Sequence, residues 1–530
     1  SSEPSASLRM ALRAALPLLL CCYTAHALRP VTVPQRTPRL PALRAPAAPS
    51  LCASSTPPPK APDGAAIRRF AIPALGLWLN GPLLSLVDTS AVGLSALPGT
   101  GATQLAALGP ATTFCDGAIY LFAFLNVATT NLYASAQPAE GGGASPESEG
   151  VVRCAARVAL LCGLGAMAVV LAMGTRLLKL YVGAAASADA ALLLPAAEYV
   201  AIRSLSFPAA FLAGVLQASL LGAKDSLTPL LALAASTLVN VVGDFVLVGV
   251  LRWGLRGAAI ATTAAQCVAT AALVRSARPK LVPALGWLPQ AWRQDTARAA
   301  SRVSARSFLV FALPVLTLIV GKISAFGFMT HAAAGLGRVP LATHQIALTL
   351  FFVISPFLEV ISQTAQAFLP AYYSAPAAAA DRHAWRAAAL ALASRLLRLG
   401  VVVGGAAAAL FGAAVPLRGA GLLTNDPAVA VALKPLALPL ALGALLTAPV
   451  AVSEGVLLAR RQLRYLCGVY VASVALLPPA LLSIKRAGGP VVNVWWCFAA
   501  FQAGRAACFT AAIYGPPLWR RLRPEAQRAE

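Results

Sequence analysis

The sequence predicts an all-α polytopic membrane protein with twelve transmembrane helices in two repeated halves. Composition is the first observation: of 530 residues, 58% are hydrophobic and 11% are charged, whereas a soluble domain carries about 25% charged residues. Long apolar segments are the second, because a spanning helix needs about 20 mainly apolar residues. Twelve segments meet this requirement, at approximately 67–96, 105–133, 152–182, 190–222, 228–252, 255–276, 306–330, 340–372, 386–415, 426–456, 464–484 and 491–514.

An internal repeat is the third observation, and it divides the chain into lobes at 67–276 and 306–515. Each half begins with a proline-bearing helix, "RRFAIPALGLW" and "RSFLVFALPVL". The second helices align as "LAALGPATTF" and "LATHQIALTL", and the fourth helices align at a similar offset. Such repeats are typical of secondary transporters, which bind their substrate near the midplane between the repeats.

The N-terminal 66 residues are predicted to be a targeting leader with a disordered linker. Residues 10–27 have a basic start, a short apolar run and a small-x-small end, as in a signal peptide. Residues 28–60 contain four Arg, one Lys and no acid, and are rich in Pro, Ala and Ser, as in a transit peptide. Together they resemble the two-part leader of complex plastids. The alternative is a simple secretory leader followed by a Pro-rich linker.

The net charge of +24 does not indicate a nucleic-acid partner. Basic residues lie mainly at helix ends and in alternate loops, most densely in an inter-lobe loop at 277–305 and a C-terminal tail at 516–530. The positive-inside rule places both segments in the cytosol or its equivalent. The ten cysteines and four histidines form no zinc or disulfide pattern. No cofactor is expected, and no enzyme motif such as Walker A or HExxH occurs.

Intramembrane polar residues in the first half predict a cation-coupling site. Asn240 and Asp244 in "STLVNVVGDFVLVGV" lie one helical turn apart and share a face. If the first span packs nearby, Asp88 faces them. Two adjacent carboxylates in low dielectric can hold a proton near neutral pH; with the Asn240 carbonyl and the Thr262 hydroxyl, they could instead hold a bare cation such as Na⁺. The alternative is a structural interhelical hydrogen bond.

The second half carries candidate substrate-binding residues. Lys322 needs a partner in the membrane, and Glu359 is the candidate. This pair could open to take an anionic substrate on Lys322, or it could be a permanent ion pair. Glu454 is either a second gate or cation site, or the cap of a bent helix. Gln363 and Asp116 complete the predicted substrate-binding set.

Three further polar residues are predicted to have surface roles. Glu198 and Arg505 lie close to predicted span ends, where long side chains extend toward water. Asp225 falls in a short loop before Pro229, where a turn or N-cap role is expected for Asp225 or Ser226.

Several segments resemble the MATE (multidrug and toxic compound extrusion) family. They are "VDTSAVG", "FPAAFLAGVLQASLLGAKDSLTPLLALAASTLVNVVGDFVLVG" and "LRGAAIATTAAQ". Others, including "IPALGLWLNGPLLSLVDT", "GKISAFGFMTHAAAGLG" and "SQTAQAFLP", are similar to the plant plastid-envelope branch that exports salicylate-related compounds. The likeness covers about residues 67–515 and is weaker after about residue 375.

This resemblance implies two six-helix lobes related by a pseudo-twofold axis, with a V-shaped cavity between them. Family members exchange organic solutes for H⁺ or Na⁺, and their N-lobe cation site falls on Asp88, Asn240, Asp244 and Thr262. Many prokaryotic members have an acidic residue on the seventh span, where this chain has Lys322. That departure puts a C-lobe cation site in doubt and favours an anionic substrate.

The expected function is a cation-coupled antiporter that exports organic anions or secondary metabolites across a plastid membrane by alternating access. Its partners would be a small anionic or aromatic solute and membrane lipids, and it would act as a monomer in the plastid envelope. The alternatives are a lipid flippase of the wider superfamily, a channel, and a location in the plasma membrane or an endomembrane.

Overall fold

The chain folds as an almost entirely helical protein, which confirms the predicted all-α membrane fold class. The computed structural model describes residues 60–95, 101–137, 145–187, 190–281, 305–373, 379–422 and 427–522. The predicted targeting segments, most of the basic inter-lobe loop and most of the C-terminal tail lie outside the described residues.

The described residues of the N-terminal lobe form eight helices: α1 (Gly64–Ser95), α2 (Gly101–Leu121), α3 (Ala123–Ala136), α4 (Pro146–Ser187), α5 (Ala190–Ser204), α6 (Phe207–Gly222), α7 (Leu227–Gly243) and α8 (Gly254–Leu281). Helix α3 continues the direction of the chain from α2 after Phe122. A π-helical segment, Asp244–Val250, extends α7. Helices α5 and α6 form one broken segment with a bend of 52°, and Pro208 in the first turn of α6 fits a helix start because proline needs no amide partner there.

In the C-terminal lobe, the part of the chain that the structure describes forms nine helices: α9 (Ala305–Ala334), α10 (Arg338–Phe368), α11 (Pro370–Tyr373), α12 (Ala379–Ala407), α13 (Val415–Arg418), α14 (Pro427–Leu433), α15 (Ala437–Ala459), α16 (Leu463–Arg486) and α17 (Val492–Leu522). A second π-helical segment, Ala408–Ala414, joins α12 to α13. The 3₁₀ turns Ala420–Leu422 and Lys434–Leu436 border α14.

Nine helical segments of the described chain are long and apolar enough to cross a membrane, or ten if the bent α5–α6 pair is one span. Helices α1 and α17 cover the first and last predicted spans but are not among these nine. The count of twelve spans therefore stays a prediction, while the polytopic character is established.

The two lobes repeat one packing scheme. In the N-terminal lobe α1 packs on α7, and the broken helix α5–α6 packs on α3, α4 and α8. In the C-terminal lobe α9 packs on α16, and α15 packs on α10, α12 and α17. Counted as spans within each lobe, the first span therefore pairs with the fifth, and the fourth span contacts the second, third and sixth. This repeated contact pattern is the structural counterpart of the alignment in the sequence.

The lobes meet at the end of the molecule where α8 ends and α9 begins, which we call the basic end. Phe70 near the start of α1 packs edge-on against Phe368 at the end of α10, with ring centroids 5.6 Å apart. Asn131 on α3 donates a hydrogen bond to Gln366 on α10. These contacts close the space between the lobes at the basic end.

Candidate functional sites

A buried hydrogen-bonded cluster in the N-terminal lobe contains the predicted coupling residues. Asn240 donates from Nδ2 to Oδ1 of Asp88, at 2.7 Å, and to Oδ2 of Asp244, at 2.9 Å. The three residues expose 7%, 0% and 1% of their surface in the order Asp88, Asn240 and Asp244. One amide thus bridges two carboxylates from α1 and from the end of α7.

The local sequence explains this arrangement. Asn240 and Asp244 share a helix face because they are four residues apart, and the π-helical segment begins at Asp244 itself. Gly243 lets α7 approach α8, since a Cβ atom there would lie 2.8 Å from Cβ of Ala261. Wide turns of this kind often occur at functional sites.

Two oxygen atoms of the cluster, Oδ1 of Asn240 and Oδ1 of Asp244, are buried without a hydrogen-bond partner among the described residues. Buried polar atoms are normally hydrogen-bonded, and an exception calls for a ligand, a proton or water. Both atoms accept hydrogen bonds, so the missing partner is a donor or a cation. The cluster can therefore hold a proton or a small cation.

Thr262, the fourth predicted coupling residue, lies on α8 and is buried. Its Oγ1 donates to the carbonyl oxygen of Ala258 in the same helix, at 2.8 Å. The hydroxyl proton is therefore used inside the helix, and only the oxygen lone pairs remain for a ligand.

Asp116 on α2 lies in an ion pair with Arg203 on α5, at 3.0 Å, and its carboxylate is largely exposed. The Arg203 guanidinium is buried and also donates to the hydroxyl of Tyr199, at 3.1 Å. The predicted substrate-binding residue therefore already has a basic partner within its own lobe.

Lys322 on α9 lies between two glutamates, rather than beside Glu359 alone as the sequence suggested. Its Nζ is 3.0 Å from Oε1 of Glu454 on α15 and 3.5 Å from Oε1 of Glu359 on α10. Tyr470 on α16 donates to the other oxygen of Glu454, at 2.6 Å. Glu454 therefore lies inside a helix and binds two neighbouring side chains, so its interpretation as a helix cap is wrong.

These charged groups line a cavity of about 410 Å³ between the lobes. The N-terminal lobe contributes Trp78 and Tyr120, and the C-terminal lobe contributes most of the wall. Rings dominate the C-terminal side, with Phe326, Phe351 and Phe498 in mutual contact. A cavity of this size, with apolar walls and a few polar groups, is typical of a small-molecule site.

The sequence-based expectation for Arg505 was wrong. This residue lies within α17, exposes 5% of its surface and lines the cavity instead of extending toward water. Its guanidinium lies over the rings of Tyr470 and Phe501, at 5.0 and 4.5 Å from the ring centroids. The helix runs beyond the apolar segment that predicted its end, which places Arg505 deeper than expected.

The other surface predictions have different outcomes. Glu198 pairs with Arg256 at the surface, as expected of a residue near a span end. Asp225 accepts hydrogen bonds from the backbone N–H and the hydroxyl of Thr228 in the first turn of α7, so it stabilises the helix start from the residue before the N-cap, which is Ser226. Gln363 on α10 is half-buried and is not one of the residues that line the cavity.

Sequence reasoning missed the residues whose roles depend on packing between helices. Asn131 and Gln366 join the lobes, and Tyr470 orients Glu454. Gln502 donates to Thr447 and accepts from Arg505. Each partner pair except Gln502–Arg505 is distant in the chain, so no local spacing could have identified it.

Comparison with known proteins agrees with this architecture. The MatE family model matches residues 78–246, a range that includes the Asp88–Asn240–Asp244 cluster. Protein DETOXIFICATION 47, chloroplastic, of Arabidopsis thaliana is 32% identical over 457 residues, which is 85% of this chain and 78% of that protein. DNA damage-inducible protein F of Escherichia coli (strain K12) is 28% identical over 330 residues, which is 61% of this chain and 66% of that protein.

Solved structures show the same fold. A MOP superfamily transporter from Pyrococcus furiosus, described as having a binding pocket of reverse polarity, superposes with a TM-score of 0.67 at 17% identity, over 85% of this chain and 95% of that chain. An outward-facing multidrug resistance MATE family transporter superposes with a TM-score of 0.63 at 18% identity, over 86% and 95%.

The fold and the buried polar clusters define a multi-pass membrane protein built to bind small solutes between two lobes. The sequence relationship to known members extends over most of the chain. The chain belongs to the MATE family of membrane transporters.

Proposed function

We propose that this transporter is a cation-coupled antiporter that exports organic anions or secondary metabolites across a plastid membrane by alternating access. The observation that carries the proposal is the bridge of Asn240 between the buried carboxylates of Asp88 and Asp244. Uncompensated charges inside a membrane protein are costly and mark functional sites. A bound cation offsets that cost.

The coupling ion in this proposal is H⁺, with Na⁺ as the alternative. A proton on the carboxyl group of Asp244 turns an acceptor oxygen into a donor. This donor could then bond to Oδ1 of Asn240, so that both unpartnered acceptor atoms of the cluster gain a partner. Binding of the cation drives alternating access only if the cluster holds it more tightly in one lobe arrangement than in another. Since Asp88 and Asp244 lie on different helices, movement of α1 against α7 changes the site.

The substrate in this proposal is a small organic anion that binds in the cavity of about 410 Å³. Two cations, Lys322 and Arg505, line this cavity together with Glu359, Glu454 and aromatic side chains, and both glutamates are paired with Lys322. Aromatic rings and a few charged groups suit a flat apolar solute with an acidic group. The protein is expected to act as a monomer surrounded by membrane lipids.

The plastid envelope is the proposed location. One similar protein of Arabidopsis thaliana is named as chloroplastic, and residues 28–60 have the composition of a transit peptide. The test is the localisation of the leader-carrying protein fused to a fluorescent protein. Fluorescence at the plastid rim would support this location, and fluorescence at the plasma membrane alone would contradict it.

The coupling proposal is tested by transport in proteoliposomes that contain the full chain. A pH gradient is imposed without and with Na⁺, and the uptake of a panel of radiolabelled aromatic carboxylates is compared between the wild type and Asp244→Asn. We expect saturable, gradient-driven transport by the wild type and none by the variant. Glu198→Gln is the matched control, because it neutralises an exposed carboxylate outside the cluster.

Equal gradient-driven transport by the wild type and Asp244→Asn would reduce the cluster to a structural hydrogen bond. Transport of a lipid analogue without dependence on either gradient would instead support a flippase.

A further inference from the structure

We propose that Arg505 is the residue that receives the acidic group of the substrate. Lys322 is then a fixed counter-ion of Glu359 and Glu454 rather than the anion-binding residue. This inference rests on the proposed function, because it names the residue that binds the anion in the same cavity.

Lys322 is an unfavourable place for an anion. Its single ammonium group lies 3.0 Å from Glu454 and 3.5 Å from Glu359. When both carboxylates are ionised, this group of three carries one excess negative charge. An incoming carboxylate would have to displace one of the glutamates and would be repelled by the other.

Arg505 has the opposite surroundings. Its contacts are a hydrogen bond to Oε1 of Gln502 and the ring faces of Tyr470 and Phe501. Within the described ranges it makes no ion pair with any carboxylate within 4.0 Å, and its Nε is buried without a partner. A guanidinium group has five N–H donors, so most of them remain available.

Because Arg505 is buried, its unused N–H donors favour the binding of an anion. The residue exposes 5% of its surface and lines the cavity. A buried charge is costly unless it is paired and hydrogen-bonded, and the two rings compensate only in part. A carboxylate bound in the cavity would supply two parallel hydrogen bonds in the geometry that a guanidinium prefers.

Gln502 holds Arg505 in position. The Gln502 side chain donates from Nε2 to Oγ1 of Thr447 on α15 and accepts from Arg505 through Oε1. This relay ties the guanidinium to two helices, so its orientation is set before a ligand binds. Gln502 is thus a positioning residue for the anion contact.

The walls near Arg505 define the rest of the ligand. Phe498 lies 5.1 Å from Phe351 and 5.8 Å from Phe326, measured between ring centroids, and Phe501 lies beneath the guanidinium. Flat rings pack well against such walls. A volume of about 410 Å³ admits a ligand with one or two rings. Benzoate, an aromatic ring with one carboxylate, is therefore a suitable probe of the contact with Arg505.

The test is equilibrium binding to the full-length purified protein in detergent, with no gradient. Isothermal titration calorimetry compares benzoate with its neutral analogue benzamide and its cationic analogue benzylamine. The proteins are the wild type, Arg505→Gln, Arg505→Lys and Lys322→Gln. Each must first elute as the wild type does in size-exclusion chromatography, and the lysine variant keeps the test informative if Arg505→Gln fails to fold.

We expect the wild type to bind benzoate more tightly than either analogue. Arg505→Gln should weaken benzoate binding by more than about tenfold, the loss of a charge-assisted bidentate contact, and leave benzamide binding unchanged. Arg505→Lys should retain part of the preference for benzoate, and Lys322→Gln should not reduce it.

Loss of benzoate binding in Lys322→Gln, with normal binding in Arg505→Gln, would overturn the assignment of Arg505. The assignment would also fail if the wild type preferred benzamide, or bound neither benzoate, benzamide nor benzylamine. Because binding requires no gradient, a failure of coupled transport leaves this result unaffected, and the two proposals can fail separately.

Discussion

Asn131 on α3 donates a hydrogen bond from Nδ2 to Oε1 of Gln366 on α10, across 3.3 Å, and this bond joins the two lobes. The aromatic contact between Phe70 and Phe368 lies beside it at the same end of the molecule. The arrangement is therefore the one in which the basic end is closed. If the basic end faces the cytosol or its equivalent, as the positive-inside rule predicts, the cavity is reached from the opposite side.

Asn131→Ala should loosen the basic end. Loss of one hydrogen bond costs about 0.5–1.5 kcal/mol, which shifts a two-state equilibrium by roughly two- to tenfold. Hydrogen–deuterium exchange should accordingly be faster in residues 60–70 and 364–373. Thr129→Ala is the control, because its hydroxyl bonds only to the carbonyl of Leu125 within α3. Equal exchange in both variants would show that the Asn131 bond does not hold the lobes together.

The sequence predicted those parts of the site that depend on spacing within one helix. Asn240 and Asp244 share a face because four residues make about one turn, and their side chains are hydrogen-bonded to each other. Long apolar segments likewise predicted the helical membrane fold. Both features depend on short-range chain geometry, whereas the contact between Asp88 and Asn240, 152 residues apart, was predicted only on the condition that the first span packs nearby.

The remaining features depend on packing between distant helices. Lys322 and Glu454 are 132 residues apart, and no local pattern pairs them. Arg505 was placed near a span end because hydropathy marks where apolar residues stop, whereas α17 continues as a helix to Leu522.

Gly455→Ala should destabilise the C-terminal lobe. Helix α15 approaches α10 so closely at Gly455 that a Cβ atom would lie 2.6 Å from the carbonyl oxygen of Ser362. The two helices would have to separate, and overpacking of this kind costs about 1–3 kcal/mol. The melting temperature of the detergent-purified protein should fall. Gly468→Ala on α16 is the matched control, since nothing lies within 4 Å of its added Cβ, and an equal fall there would contradict the packing argument.

Asp225 should make the protein sensitive to acid. Burial raises the pKa of Asp225, but hydrogen bonds from Lys280 and Thr228 outweigh that effect and leave the pKa below its ordinary value. A carboxyl group with a depressed pKa stabilises the fold above the unfolded-state pKa of about 3.9, and this contribution is lost as the pH falls through the lower folded-state value. Asp225→Asn should therefore lower the melting temperature at pH 6, and the difference from the wild type should shrink below about pH 4.

The control for Asp225 is Glu198→Gln, which removes the exposed ion pair with Arg256. Exposed ion pairs contribute about 0–1 kcal/mol, so this variant should melt within about one degree of the wild type at pH 6. A difference for Asp225→Asn that persists unchanged at pH 3 would mean that its effect does not come from the ionised carboxylate.

Thr262→Val should distinguish the two candidate coupling ions. A proton on Asp88 or Asp244 needs no hydroxyl ligand, whereas Na⁺ in this cluster would use the free lone pairs of Thr262, whose proton is bonded to Ala258. We propose H⁺, so the variant should keep pH-driven transport to within about tenfold of the wild type, the effect of one hydrogen bond, and Na⁺ should change neither protein. Thr270→Val is the matched control, because the hydroxyl of Thr270 on the same helix bonds to the carbonyl oxygens of Ala209 and Gln266. Transport that requires Na⁺ in the wild type and in the control, but is lost in Thr262→Val, would mean that the coupling ion is Na⁺ and that it binds at the proposed cluster.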